Sequence, residues 1–184
     1  MHYSLALNRS NIDVFRCRIE NDSSVDRENY LNLKNHDGKT ALAIACENAR
    51  FELVQILLQF PFNQQDLMPM NSAIRANHQS IVQLLLDRGI SMSLTNQFGQ
   101  TAAHLACQLN RVEILTMLID RHQNLECQDH LGQTLLLTAV VHNHRPCVEI
   151  LLNNGANFTA TDLSRRTISK FQSINEFQLF FFSI

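Results

Sequence analysis

Gly99-Gln100-Thr101-Ala102-Ala103-His104-Leu105-Ala106 is answered 33 residues later by Gly132-Gln133-Thr134-Leu135-Leu136-Leu137-Thr138-Ala139, and Thr167 stands one further interval along. Other residues keep the same phase: Ala73, Ala106 and Ala139; Asn77, Asn110 and Asn143; and the apolar clusters opening at Ile81, Ile114 and Cys147. Several registers agreeing on one period mark a chain of stacked repeats, each too small to bury its own apolar face. One interval holds a short helix rich in small residues, a tight turn at Asn, a second helix with apolar spacing, and a polar connector carrying Gly99 or Gly132. The spacing therefore predicts helix–turn–helix units joined by projecting hairpins.

Each repeated residue type has a local reason. A Thr just before a helix accepts a backbone N–H with its hydroxyl, and Pro69 falls in a first turn, where a missing N–H costs nothing. Asn tolerates left-handed backbone angles, which suits Asn77, Asn110 and Asn143 to the turn between paired helices. Ala49 occupies that position in the first complete repeat, at a cost of about 1 kcal/mol if the angles are kept. From Ala45 to Ala73 the interval shortens to 28 residues, so the connector through residues 59–65 carries an abbreviated finger.

These segments resemble the ankyrin repeat, whose hallmark is Thr-Pro-Leu-His-x-Ala. The matching stretches are Thr40-Ala41-Leu42-Ala43-Ile44-Ala45, Met68-Pro69-Met70-Asn71-Ser72-Ala73, Thr101-Ala102-Ala103-His104-Leu105-Ala106 and Thr134-Leu135-Leu136-Leu137-Thr138-Ala139. A Gly-x-Thr lead-in precedes three of them, at Gly38, Gly99 and Gly132. The resemblance implies an all-α ankyrin-repeat solenoid with β-hairpin fingers, and a His104 that ties neighbouring repeats by hydrogen bonds. It implies one array over residues 1–184: a partial first repeat with a long connector (1–36), a short repeat (37–64), three repeats (65–97, 98–130, 131–163) and a degenerate or truncated terminal repeat (164–184). The chain opens within a hallmark and closes on the apolar residues 177–182, as expected of a partial sequence, a truncated product or an end buried against a partner.

Composition narrows the function. The 184 residues are 45% hydrophobic, with net charge −2 and pI near 6.4. That balance argues against a nucleic-acid or anionic-membrane surface, since neutralising phosphates takes clustered Lys and Arg. The longest apolar run, residues 135–141, is far short of the ~20 residues that span a bilayer. Five cysteines, an odd number, and no charged-then-apolar leader point to a reducing compartment, the cytoplasm or nucleus. Cys46, Cys107 and Cys147 read as small core hydrophobes. All five glycines are taken by repeat turns and connectors, leaving none for a phosphate cradle. Cys127 and His130, followed by His142 and His144, loosely imitate a zinc pattern, but about seven helical residues put ~10 Å between the pairs. No catalytic, cofactor or metal site is expected.

What remains is a surface. Stacked repeats align their hairpin tips and first helices into a concave face, on which variable positions select a partner. Here those positions are Gln97, Phe98 and Gln100 with Gln108 and Leu109, then His130, Leu131 and Gln133 with Val141 and His142. Phe98 and Leu131 are equivalent tips, and apolar residues where solvent is expected mark a contact site unless the tips pack on one another. The expected function is a non-catalytic protein-binding module with a protein partner, no nucleic acid and no membrane insertion. The alternatives are an array within a longer kinase, ubiquitin-ligase adaptor or channel, or an inhibitor resembling the cytoplasmic NF-κB inhibitors, for which no acidic or Pro/Ser/Thr-rich tail is present.

Overall fold

The computed structural model describes residues 31–168. The readings of residues 1–30 and of the apolar stretch 177–182 fall outside the described residues. The chain divides into two compact units, Met1–Ser91 and Met92–Ile184. In the first lie α1 (Ala41–Glu47), α2 (Phe51–Leu57), α3 (Met68–Arg75) and α4 (Gln79–Asp87); in the second, α5 (Ala102–Gln108), α6 (Val112–Asp120), α7 (Leu135–Val141) and α8 (Arg145–Asn153). Within each unit the first helices of adjacent repeats pack together (α1 on α3, α5 on α7), and so do the second helices (α2 on α4, α6 on α8).

Helices of seven to nine residues are marginal alone, so packing and capping must hold them. Ala43, Ala103, Ala106 and Ala139 have no exposed surface, which is what lets neighbouring first helices approach closely. Thr40, Thr101 and Thr134 cap α1, α5 and α7 as expected, each hydroxyl accepting the N–H of the residue three further on. The Ala and Asn registers prove to be one motif. After α5, Asn110 takes φ 53°, the Arg111 N–H donates to the Ala106 carbonyl at 2.8 Å, and the Asn110 N–H to that of Cys107 at 3.4 Å. This is the left-handed cap that satisfies a helix's last carbonyls, and Asn77 and Asn143 repeat it. Ala49 adopts the same turn at φ 54°.

The second helices end likewise, at Gly89, His122 and Gly155, spaced by the repeat interval. His122 is held at φ 62°, where its counterparts are glycine. His122→Gly is expected to raise the unfolding free energy by about 1 kcal/mol by removing that strain. Urea titration followed by circular dichroism checks it, and a midpoint unchanged or lowered would count against the strain.

The fingers differ from expectation. No strand forms among the described residues, and each expected hairpin reduces to its turn. The Asn96 N–H donates to the Gln100 carbonyl at 3.0 Å and the Gly99 N–H to that of Asn96 at 2.9 Å. Thr101 is already the helix cap, which leaves no residues for a ladder. The finger of the short repeat is abbreviated to a turn at Asn63, whose carbonyl accepts the Asp66 N–H.

Candidate protein-docking face

The tips of the second unit are built on three side chains in register, Asn96, Asp129 and Asp162. The Asn96 Oδ1 accepts the N–H groups of Phe98 and Gln100, and the Asp129 Oδ1 those of Leu131 and Gln133, all at 2.9–3.0 Å. The Asp162 Oδ1 accepts from the Arg166 N–H at 2.8 Å, and its Oδ2 pairs with the Arg166 guanidinium at 2.7 Å. Burial alone would raise the Asp162 carboxyl, but the N–H groups and charge of Arg166 outweigh it and hold it below the ordinary carboxylate value.

Successive tips are also bonded to each other. The His130 N–H donates to the Phe98 carbonyl at 2.9 Å, and the Leu163 N–H to the Leu131 carbonyl at 3.0 Å. This approach is what requires Gly99 and Gly132: a Cβ on either would lie 2.8 Å from the backbone nitrogen of the next tip.

Phe98 and Leu131 stand out from this frame, 58% and 61% exposed, so they do not bury one another. Gln97 and His130 are exposed beside them, and Gln100 is half-buried, its Oε1 accepting from the Asn96 amide. On the first helices Gln108, Leu109 and Val141 are half-buried and His142 is exposed. Gln133, grouped with this surface on sequence, is only 7% exposed and lies beneath it.

The Gln133 backbone serves the scaffold instead. His104, fully buried, accepts the Thr101 N–H at Nδ1 and donates from Nε2 to the Gln133 carbonyl at 3.1 Å, tying α5 to the next finger. Burial lowers the His104 pKa, against smaller opposing contributions from the Gln133 carbonyl and Asp129. The folded state therefore resists a proton that the unfolded chain accepts below about pH 6.5. Stability from this group is complete above that pH and is lost as pH falls through it. Denaturant melts at pH 7.5 and 5.0 should show a larger acid loss for the native chain than for His104→Gln; identical losses would remove His104 from the account.

The other candidate chemistry stays apart. His142 and His144 stack with ring centroids 6.1 Å apart, each donating Nδ1–H to a backbone carbonyl, of Thr138 and Cys107 respectively. Among the described residues no group of three His, Cys, Asp or Glu side chains is placed to hold a metal ion. Cys46, Cys107 and Cys147 are buried, and burial pushes the Cys46 thiol up to about 12 and Cys147 to about 11. No helix among the described residues is long and apolar enough to cross a membrane.

Sequence reasoning missed Leu163, 77% exposed on the next tip, because the strict counterpart of Phe98 and Leu131 there is Ser164, while Leu163 itself aligns with the polar Gln97 and His130. The anchors Asn96, Asp129 and Asp162 were also missed, though their interval was in view; Asn and Asp differ in charge but share the accepting Oδ1.

Comparison with known proteins agrees with the repeat fold. The family model described as ankyrin repeats (3 copies) matches residues 3–96 and 89–162. Ankyrin repeat domain-containing protein 63 of Homo sapiens is 31% identical over 85 residues, covering 41% of this chain and 22% of that protein, and its Mus musculus counterpart matches equally. The match thus takes in about a fifth of the length of these curated relatives.

Proposed function

We propose, from the premise that this chain belongs to the ankyrin-repeat family, that it is a non-catalytic module binding a protein partner on the concave face made by its finger tips and first helices. The observation that carries this reading is the exposure of Phe98 and Leu131 at equivalent tips. Apolar side chains in a row are poor surface residues and good interface anchors. Gln97, Gln108, Leu109, His130 and His142 supply the rim, and the module works in the cytoplasm or nucleus as one array over residues 1–184.

Phe98→Ala combined with Leu131→Ala should weaken binding of a partner recovered by pull-down by ~2 kcal/mol or more, since central apolar anchors often carry that much each. The melting transition should hold, because exposed tips contribute little to the core. Unchanged affinity would place the binding site elsewhere, and a large fall in melting temperature would make these tips structural.

A second reading has one observation behind it, the small share of each relative that the match covers. In that reading the array is the binding part of a longer protein, such as a kinase, a ubiquitin-ligase adaptor or a channel, whose activity lies outside residues 1–184.

A further inference from the structure

The tip row has a property that bears on the kind of partner it takes: its backbone donors are already committed. The N–H groups of Phe98 and Gln100 go to Asn96 Oδ1, that of Leu131 to Asp129 Oδ1, and those of His130 and Leu163 to carbonyls of the preceding tip. An added strand draws its affinity from main-chain pairing, and it would find none of these groups free.

What the row presents is side chains. Phe98, Leu131 and Leu163 project from consecutive tips, the last the most exposed. Charge is nearly absent from the three tips: Asp129 and Asp162 are buried and Arg166 is paired with Asp162. Arg165 is the exception, exposed beside Leu163 and in no ion pair among the described residues.

The geometry points to an amphipathic helix of another protein as the occupant, its apolar stripe lying along Phe98, Leu131 and Leu163 and a carboxylate at one end facing Arg165. A helix satisfies its own backbone and needs only apolar anchors in return. Packed repeats step by ~10 Å, close to the rise of about seven helical residues. That step separates Phe98 from Leu131, while the bond from the Leu163 N–H to the Leu131 carbonyl keeps those two residues within ~7 Å, a little over one helical turn. Apolar residues near positions i, i+7 and i+11 therefore match the three side chains, and the charge beside Leu163 fixes the direction in which the helix lies. This inference rests on the docking face proposed above.

The test is an unbiased display library of 20-residue peptides, selected on the full chain and counter-selected on a Phe98→Ala, Leu131→Ala, Leu163→Ala variant with an unshifted melting transition. The expected result is enriched peptides with apolar residues at helical spacing and an Asp or Glu at one end, helical by circular dichroism when bound. Arg165→Glu should weaken such a peptide about tenfold in fluorescence anisotropy, and Lys in place of its acidic residue should restore binding. Enrichment of peptides with alternating apolar residues that still depend on the three tips would overturn the helix and leave the docking face standing. An enriched helix indifferent to Arg165→Glu would overturn the assigned direction, and no enrichment at all would overturn the inference.

Discussion

Leu118→Ala should lower the unfolding free energy by ~2–5 kcal/mol, the range in which a buried leucine truncation combines lost transfer energy with a residual cavity. Leu118 has no exposed surface, belongs to α6, which packs against both α5 and α8, and lends its carbonyl to the Gln123 N–H that closes the helix. The neighbouring repeat offers a control. Leu84 belongs to the apolar cluster that opens at Ile81, but it is only half-buried, because the α4 face that packs inward is carried by Ile81, Val82, Leu85 and Leu86. Leu84→Ala should therefore cost clearly less. Urea titrations of both variants by far-UV circular dichroism decide the matter, and equal losses would mean that burial in this array does not set the cost.

Gly99→Ala should be the most disruptive conservative change at a finger, costing ~2–4 kcal/mol. Part of that is angular: Gly99 sits at φ 74°, where an L side chain pays about 1 kcal/mol or more. The rest comes from the new Cβ pressing on the His130 backbone nitrogen, which forces the tips apart and breaks the bond to the Phe98 carbonyl. Gly38 separates the two contributions, since it has nearly the same φ of 73° and nothing within 4 Å of its would-be Cβ. Gly38→Ala should show the angular cost alone. If the two variants melted together, the tip contact would carry no energy.

Much of the fold could be read from the sequence because the repeated residues answer local needs. Thr40, Thr101 and Thr134 each satisfy a helix's first free N–H groups, and Asn77, Asn110 and Asn143 each accept an angle few residues tolerate. Such requirements are met within a few residues, so they appear as letters. The candidate face was less legible. Gln133 looks like an exposed polar residue, but it is buried, and its carbonyl is reached by His104 from the preceding repeat, 29 positions away. Leu163 joins Phe98 and Leu131 by its place on the third tip and not by strict register. The tip-to-tip hydrogen bonds join main-chain atoms that every residue has, and their only trace in sequence is the glycine they require.

Those ties between repeats have a consequence for kinetics. In the second unit they join Phe98 to His130, His104 to Gln133, Glu126 to Asn157 and Cys107 to His144, each spanning close to one interval and none more than 37 residues. The entropy lost in closing a loop grows only with the logarithm of its length, so successive closures cost nearly the same. Contact order is correspondingly low, and folding rates across small proteins rise as it falls. Assembly of this unit can start at either repeat and extend to the other without waiting on a distant pairing. Duplication or deletion of one whole interval would leave every surviving tie at its present separation.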